Sequence, residues 1–534
     1  MCNLKKIIPF FILVFSLASD IFAQFGKLPP FQLQLQVING TNIPGMHSFA
    51  FAQSGDKWLF IGGRINGLHG LNNNDGFPGE HKNDKIIVID TTTWNFYQAD
   101  LNQLPKNMAD PMRSTNMQYI QNSDYLYMIG GYGWDSIQEG YVTYPTLTAI
   151  HVNKMIDAVI NAKPIAPFIR QVADTNFTVC GGDLAKLGNE YYLMFGHNFN
   201  GRYDKTASVL FTQTYTNRIK KFNLTDDGTN ITFSNFSYLV DTTNFHRRDL
   251  TTCPLVKPDG SFAIGAYGGV FKKDKDLPYR EPIILSANGT TELKTYQQVM
   301  SQYTCAALPV YDAGSKNMYT TFFGGISLYD YDAGSGLVKQ DTLMPFINDV
   351  TTLSSYSNGA LEETVLPLQL PGLLGCNAKF IFNRNTSSYA NEVVDLKQLP
   401  IKQHLVGYII GGIHAQKGNF GISGSNTSIF RVYLTPVPSV GVGEENAIIQ
   451  RINLFPNPAA QQTLLELTLK QPDHIRVSLT DLTGKELQVI VDQQLQKGIH
   501  KLPLDISFCK TGFYLCEIQC STGKLVQKLI VRKE

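Results

Sequence analysis

The run Trp58-Leu59-Phe60-Ile61-Gly62-Gly63 indicates the fold of this chain, because similar runs recur along the sequence to beyond residue 400. Each is a short, aromatic-rich apolar segment that ends in one or two glycines. Short apolar runs bounded by glycine are typical of buried β-strands. The other five are Tyr125 to Gly131, Tyr191 to Gly196, Phe262 to Gly265, Met318 to Gly325 and Val406 to Gly412. The sequence therefore predicts a β unit repeated six times between residues 24 and 438.

These units resemble kelch repeats, whose period is about 50 residues and whose product is a β-propeller. The first unit resembles the family best. His47-Ser48-Phe49 opens an inner strand, the segment Ile86 to Asp90 makes the third strand, and Trp94 belongs to the fourth. Later units are longer and looser. The resemblance implies an all-β fold, a six-bladed kelch-like β-propeller, and a β-sandwich with coincidental glycine pairs is the alternative.

A strand near the N-terminus predicts how such a ring of blades would close. Phe31, Leu33, Leu35 and Val37 alternate with glutamines, which indicates a half-buried strand. The last unit ends after the segment Ser428 to Leu434, one strand short of four. We expect the N-terminal strand to complete that unit, because the pairing would remove two open sheet edges.

The C-terminal residues have a different pattern. They include Asn453-Leu454-Phe455-Pro456-Asn457-Pro458, the stretch Val477 to Lys485, the segment Thr511 to Leu515 and a basic strand from Lys524 to Lys533. Alternation of apolar and polar residues between turn signals indicates several short strands, as in a small β-sandwich. In this order the segments resemble the C-terminal sorting domain of type IX secretion substrates from the Bacteroidota. The resemblance covers residues 453 to 534 and implies recognition by the type IX secretion machinery, with an ordinary adhesive β-sandwich as the alternative.

The N-terminus and the composition agree with export. Lys5 and Lys6 precede the apolar run Ile7 to Leu17, and Ala23 follows, so residues 1–23 read as a cleavable signal peptide. No later segment is long and apolar enough to be a transmembrane helix. The chain has 45 basic and 44 acidic residues. Its net charge of +1 is too small to attract nucleic acid by overall electrostatics. We expect a propeller over residues 24–438, a linker over 439–452 and the sorting domain over 453–534, in a secreted or surface-attached protein.

Candidate ligand-binding residues lie where the inner strands of the units begin, because propellers bind ligands at the mouth of the axial channel. Converging guanidiniums there would suit a carboxylate or an acidic sugar, which arginine binds in bidentate fashion. The alternative is a structural network that ties the units together, with Asp249 pairing an arginine. The candidates are His47, Arg113, Arg247, Arg248, Asp249 and Tyr303.

Other chemistry finds little support in the sequence. The cysteines at strand starts, Cys180, Cys253, Cys305 and Cys376, lack zinc spacing and read as small buried thiols. No P-loop, Gly-x-Ser-x-Gly elbow or His-Glu-x-x-His appears, so no catalytic residue, metal or cofactor is predicted. We expect a binding protein for a carbohydrate or protein partner. The alternatives are a sugar-acting enzyme, such as a sialic acid mutarotase or epimerase, and a cell-envelope scaffold.

Overall fold

Strands dominate the computed structural model, as the aromatic-rich and charge-poor composition predicts. The chain divides into two compact units, one ending at Pro436 and one beginning at Val437. The structure describes residues 26–68, 76–203, 211–332, 335–419, 422–437, 448–481 and 485–533. The predicted signal peptide and residues 439–447 of the predicted linker lie outside these ranges.

The first unit contains six antiparallel sheets that follow one another along the chain, each with four strands in its main body. Sheet 1 consists of Ala50–Ser54, Lys57–Ile61, Lys85–Asp90 and Asn95–Asp100. Sheet 2 consists of Gln118–Asn122, Tyr125–Ile129, Thr146–His151 and Ile169–Ala173. Sheet 3 consists of Asp183–Leu187, Glu190–Met194, Arg218–Asp226 and Ile231–Val240.

The remaining three sheets repeat this order. Sheet 4 consists of Thr251–Val256, Phe262–Tyr267, Ile283–Ser286 and Thr291–Leu293. Sheet 5 consists of Ala306–Asp312, Asn317–Ile326, Phe346–Ser355 and Leu361–Gln369, with Val394–Asp395 as a short parallel fifth strand. Sheet 6 consists of Lys379–Phe382, His404–Ile410, Phe430–Pro436 and Phe31–Val37.

The six apolar runs form the second strand of the six sheets, so the predicted repeat is confirmed as a structural repeat. The glycines that end them allow close approach of backbones. Gly130 has φ +66°, and a Cβ placed on it would lie 1.9 Å from the Val179 carbonyl oxygen in the loop before sheet 3. Its neighbour Gly131 donates its N–H to that same oxygen at 2.9 Å. Only glycine satisfies both the backbone conformation and the space.

The pairing predicted for the N-terminal strand is confirmed. Phe31–Val37 runs antiparallel to Phe430–Pro436, with Phe31 opposite Pro436 and Val37 opposite Phe430. Phe31 is buried and its ring meets Tyr319 of sheet 5 edge-on at 5.7 Å between centroids. The two ends of the first unit therefore form one sheet.

Buried apolar clusters join each sheet to the next, and the last sheet to the first. Successive residues of a strand face opposite sides of its sheet. Both sides are apolar because each sheet packs against the sheet before it and the sheet after it. A representative pair from each of the six clusters is Leu59 with Met128, Tyr127 with Leu193, Met194 with Ala266, Tyr267 with Phe322, Val310 with Phe380, and Ile410 with Phe60.

Three hairpins and one small three-stranded sheet lie at one end of the six sheets. They are the hairpins Tyr132–Asp135 with Gly140–Thr143, His197–Asn200 with Thr212–Tyr215 and Tyr329–Asp332 with Leu337–Gln340, and a sheet of Leu373–Cys376, Ile413–Ala415 and Ser423–Ser425. The α-helices are Lys106–Met112 and Val152–Ile160, and short 3-10 helices are Gly79–His81, Leu101–Gln103, Ala166–Phe168, Thr175–Phe177 and Leu396–Gln398. Sequence analysis predicted neither the helices nor the hairpins.

The second unit consists of two sheets around one buried cluster. One sheet contains Ile449–Phe455, Gln462–Leu469 and Gly498–Asp505, and the other contains Asp473–Thr480, Glu486–Leu495, Gly512–Cys520 and Gly523–Val531. The first strand begins at Ile449, inside the predicted linker, because Ile448 and Ile449 are buried in that cluster. Strand content and alternation agree with the predicted small sandwich.

Candidate functional site

Six residues share an unusual backbone conformation at the start of the six sheets. Each stands two residues before the first strand of its sheet and has a positive φ between 49° and 67°. Five of them are not glycine, although side chains other than Asn, Asp and Gly rarely adopt this conformation. We call them the six turn residues; they are Ser48, Asn116, Gly181, Asp249, Thr304 and Asn377.

Backbone hydrogen bonds connect the turn residues of neighbouring sheets. Asn116 donates its N–H to the Ser48 carbonyl at 3.2 Å, Gly181 donates to Asn116 at 2.9 Å, and Asp249 donates to Gly181 at 2.7 Å. Asn377 donates in the same way to Thr304. The positive φ thus points the N–H of a turn residue toward the turn residue of the preceding sheet. Because this hydrogen bond depends on the backbone alone, the conformation recurs with different side chains.

The residue before each turn residue pairs with a residue that follows glycine, a glycine pair in five of the sheets and Gly196 alone in sheet 3. Bridges join His47 to Arg64, Thr115 to Tyr132, Cys180 to His197, Arg248 to Val270, Tyr303 to Ile326, and Cys376 to Ile413. These two sets of side chains surround one side of the turn residues. There nine of the twelve, all but Tyr132, Cys180 and His197, border a cavity of about 310 Å³, which we call the mouth cavity.

Arg248 provides a guanidinium to the mouth cavity. Its side chain is 15% exposed, and its Nη1 forms an ion pair with Asp249, whose carboxylate also accepts from Asn116 Nδ2 at 3.0 Å. Nε donates to the Tyr215 hydroxyl at 3.2 Å, and the guanidinium lies 5.4 Å from the Phe271 ring centroid. Burial lowers the pKa of Arg248, but the Asp249 carboxylate and the hydroxyls of Tyr215 and Tyr203 raise it above its ordinary value. Arg248 is therefore a fixed cation.

Arg64 provides a second guanidinium on sheet 1. It donates from Nε to Asn66 Oδ1 at 3.1 Å and from Nη2 to the Pro78 carbonyl at 2.7 Å, and it lies 5.3 Å from the Phe77 ring centroid. Both arginines line the mouth cavity together with the aromatic side chains of Tyr203 and Phe271. The cavity therefore has two guanidinium groups, one of them paired with the Asp249 carboxylate, between aromatic walls. Such a cavity can hold an anionic ligand with an apolar face.

The structure brings together four of the six predicted residues. His47, Arg248, Asp249 and Tyr303 all line the mouth cavity. Tyr303 is buried, and its hydroxyl lies 3.7 Å from the Met344 sulfur. These four come from sheets 1, 4 and 5, and their grouping is the one that sequence analysis expected from the positions where strands begin.

Arg113 and Arg247 do not line the mouth cavity. Arg113 is the C-cap of helix Lys106–Met112; it pairs with Asp110 at 2.9 Å and donates to Asn102 Oδ1 at 2.6 Å. Arg247 is fully buried, 4.1 Å from the Tyr279 ring centroid, and donates to the carbonyls of Asn244 and Gly268. Burial lowers the pKa of Arg247 to about 10, which leaves it charged at neutral pH. Both arginines have the contacts of the structural network that was the alternative. The ion pair of Arg248 with Asp249 is also of the kind that this alternative named.

A side pocket of about 40 Å³ adjoins the mouth cavity between sheets 2 and 4. It shares Arg248 with the mouth cavity and contains His197, which bonds Gln213 Nε2 through Nδ1 at 2.7 Å. Burial, and then the charge of Arg248, hold the pKa of His197 well below its usual value, so the imidazole is neutral. Sequence analysis missed His197 and Arg64, although each directly follows the glycine that ends an apolar run.

Aromatic side chains lead from the mouth cavity to the surface. Phe77 meets Tyr132 edge-on at 5.3 Å, Tyr132 stacks on Tyr141 at 5.7 Å, and Tyr141 meets Trp134 at 5.2 Å between centroids. Trp134 is 43% exposed, although tryptophan is usually well covered. We call these four residues the aromatic strip. They present π surface of the kind that sugar rings and other flat apolar faces contact.

The four cysteines at strand starts are buried, as predicted. Burial raises the pKa of Cys180, Cys305 and Cys376 to about 12, which keeps the thiols protonated. Over the described ranges, no group of three or more His, Cys, Asp or Glu side chains has the geometry to hold a metal ion.

The second unit matches a known family. Residues 453–532 match the sequence model of the family described as "Secretion system C-terminal sorting domain". This chain carries a type IX secretion signal. It is exported to the cell surface or secreted, as a Bacteroidota protein, and the sorting domain is its contact with the secretion machinery. None of the described helices has the length and hydropathy to cross a membrane.

Solved structures are similar to larger parts of the chain at low identity. The structure of YjhT is 12% identical, with a TM-score of 0.41, and the match covers 74% of this chain and 98% of that one. PorZ, a bacterial surface component of the type IX secretion system of Porphyromonas gingivalis, is 11% identical, with a TM-score of 0.28, over 93% of this chain and 60% of that one. With TM-scores below 0.5, these similarities do not define the fold. No curated protein sequence matches the chain.

Proposed function

We propose that this is a secreted or surface-attached binding protein, in which a six-bladed kelch-type propeller recognises an acidic carbohydrate in the mouth cavity. The observation that carries the proposal is the pair of cations, Arg248 and Arg64, in a cavity with aromatic walls. Carboxylates are the groups that arginine binds with the most specific geometry. The aromatic strip beside the cavity favours a sugar over a simple organic acid, because sugars have apolar faces that stack on rings.

The propeller is supported by the cyclic order of contacts in the first unit. Buried clusters join sheet 1 to sheet 2 and so on through sheet 6, and Ile410 of sheet 6 shares a cluster with Phe60 of sheet 1. Gly412 donates its N–H to the Met46 carbonyl at 2.9 Å, which ties the end of sheet 6 to the loop before sheet 1. A closed series of four-stranded sheets is the arrangement of propeller blades.

The test is a binding titration of the purified protein with matched sugars. Glucuronic acid, galacturonic acid and sialic acid are compared with glucose and galactose, which lack the carboxylate. We expect the acidic sugars to bind and the neutral ones not to. Arg248→Gln should weaken binding about 10-fold or more, because it removes a charge-assisted hydrogen bond. Arg113→Gln is the matched control, since Arg113 lies outside the cavity, and it should leave affinity unchanged.

Equal binding of neutral and acidic sugars, or full binding by Arg248→Gln, would contradict the proposed ligand class. Absence of binding to any sugar would favour the scaffold alternative. A glycan array on the same protein then extends the test from monosaccharides to chains, on which Trp134→Ala should reduce retention of oligosaccharides more than that of single sugars.

His197 favours a second candidate function, a sugar-acting enzyme of the mutarotase or epimerase kind. A neutral imidazole beside Arg248 could accept a proton from a sugar hydroxyl while the arginine holds a carboxylate. Exchange between the anomers of an acidic sugar, followed by NMR, separates the two functions. A binding protein leaves the exchange rate unchanged, whereas an enzyme accelerates it and His197→Gln abolishes the acceleration.

A further inference from the structure

A second cavity lies on the other side of the six turn residues. It has a volume of about 190 Å³, and all six turn residues line it, five of which also line the mouth cavity. The turn residues therefore form the constriction between the two spaces. We call the second space the channel chamber. Its walls come from the first residues of the inner strands, including Tyr119, Asp183, Thr252 and Lys379.

Besides Asp249, whose carboxylate pairs with Arg248, two opposite charges line this chamber without touching each other. Asp183 begins the first strand of sheet 3, and Lys379 begins the first strand of sheet 6, halfway around the series of sheets. Each influences the pKa of the other, yet no ion pair within 4 Å joins either of them to a charged group of the described chain. Both side chains remain partly exposed, so solutes in the chamber can reach them.

The neighbours of the two charges satisfy them only in part. The Asp183 carboxylate accepts from the Thr252 hydroxyl and from the Leu184 N–H at 2.8 Å. The Lys379 ammonium lies 5.3 Å from the Tyr119 ring centroid. Burial raises the pKa of Asp183 in spite of the Thr252 hydrogen bond and the Lys379 charge. Burial lowers the pKa of Lys379, but Tyr119 and the Asp183 carboxylate raise it above its ordinary value. A partly buried charge without an ion pair favours a partner of opposite sign, which applies to both groups.

We propose that the channel chamber binds a small zwitterion of amino acid size, with its ammonium on Asp183 and its carboxylate on Lys379. One molecule with both charges neutralises both residues, whereas an anion or a cation neutralises one and leaves the other uncompensated. The Thr252 and Tyr119 hydroxyls supply polar contacts beside the charges. This site is separate from the mouth cavity, because neither Asp183 nor Lys379 lines that cavity.

The test measures calorimetric affinity and thermal shift for the purified protein with glycine, β-alanine, 4-aminobutyrate and alanine. Acetate and methylammonium are the monofunctional controls. We expect at least one zwitterion to bind, with an optimum chain length that reports the separation of the two charges, and the controls not to bind. Asp183→Asn and Lys379→Met should each weaken that binding about 10-fold or more. Asp259→Asn changes an exposed aspartate of a turn and should leave it unchanged.

Two further variants keep the test decisive if a single change unfolds the protein. The double variant Asp183→Asn/Lys379→Met removes both charges, so it should melt at a higher temperature than either single variant and bind no zwitterion. Arg64→Gln should bind the zwitterion as the parent does, because Arg64 lines the mouth cavity and not the chamber, and this result separates the two sites. The proposal is overturned if no zwitterion binds at millimolar concentration, which would mean a chamber filled by water alone, or if acetate or methylammonium binds equally well.

Discussion

Arg247 and Arg248 are consecutive residues whose guanidinium groups lie in different environments. The Arg247 guanidinium is fully buried 4.1 Å from the Tyr279 ring centroid, and the Arg248 guanidinium lies 5.4 Å from the Phe271 ring centroid at the mouth cavity. Neighbouring side chains in an extended segment point to opposite sides of the backbone. One arginine therefore holds the loop before sheet 4 together, and the other lines the mouth cavity while it pairs with Asp249.

Replacing Arg247 should cost stability and spare ligand binding. In Arg247→Met the carbonyls of Asn244 and Gly268 lose their donors, and the Tyr279 ring loses its cation. We expect the free energy of unfolding to fall by about 3 kcal/mol. Urea denaturation measures the change. Arg218→Met, at an exposed arginine of sheet 3, is the matched control and should cost less than about 1 kcal/mol. Equal losses in both variants would contradict a structural role for Arg247.

The glycine at the end of the second apolar run should not tolerate a methyl group. Gly130→Ala would place a Cβ 1.9 Å from the Val179 carbonyl oxygen at φ +66°. Gly55→Ala is the control, because Gly55 has φ +52° and open space around its Cβ position. The control isolates the conformational cost, about 1 kcal/mol. Thermal unfolding should show a several-fold larger loss for Gly130→Ala, and similar losses would mean that the contact between sheets is looser than described.

Phe31 should contribute more to stability than its position near the N-terminus would indicate. Its ring is 4% exposed and packs against Tyr319, so Phe31→Ala leaves a cavity between sheets 5 and 6. We expect a loss of about 3 kcal/mol. Val37→Ala, at the other end of the same strand with 40% exposure, should lose less than about 1 kcal/mol. If Phe31→Ala unfolds at the same denaturant concentration as the parent protein, the N-terminal strand does not stabilise the first unit.

Glu363 should make the protein less stable as the pH rises. Burial raises its pKa from 4.5 to about 7, although the N–H groups of Val299 and Met300 oppose the shift. The folded state therefore favours the protonated form of Glu363. The contribution of Glu363 to the free energy of unfolding is complete below about pH 4.5 and is lost as the pH rises through about 7. At about 1.4 kcal/mol per pKa unit, the loss is at most about 3 kcal/mol.

Glu363→Gln removes this titration, so its unfolding free energy should fall less between pH 5 and pH 8 than that of the parent protein. Chemical denaturation at several pH values measures the difference. Asp349, whose pKa burial raises to about 6, leaves a smaller loss in the same direction. Glu80→Gln, at an exposed carboxylate, should follow the parent curve. Parallel curves for Glu363→Gln and the parent would mean that Glu363 is ionised in the folded state at pH 5.

Much of the fold was predictable because its strands have strong local signals. The apolar runs before glycine and the alternation from Phe31 to Val37 report burial directly, and each was found in the expected strand. The helix Lys106–Met112 was not predicted, since it is only two turns long and contains Pro111. That helix explains the position of Arg113, which was taken to open an inner strand.

The sequence predicted where the candidate site lies, but it did not predict all of the residues that line it. Counting from strand starts found His47, Arg248 and Tyr303 because those residues precede or adjoin a turn residue. Arg247 has the opposite phase, which a register uncertain by one residue cannot resolve. Arg64 and His197 were missed because the residue after a glycine pair was not expected to pair back to the strand start. The charges of the channel chamber, Asp183 and Lys379, were missed because they belong to sheets 3 and 6, and no local pattern in the sequence relates them.

The pairing of Phe31–Val37 with Phe430–Pro436 also fixes an order of events. The ribosome makes the N-terminal strand first and its partner last, with nearly the whole first unit between them. Until Pro436 has been made, the backbone groups of the first strand lack their partner strand, and sheet 6 is incomplete. Because these two strands lie at opposite ends of the first unit, sheet 6 forms only when residues about 400 positions apart meet, and a chain cut before Phe430 leaves the first strand without its partner.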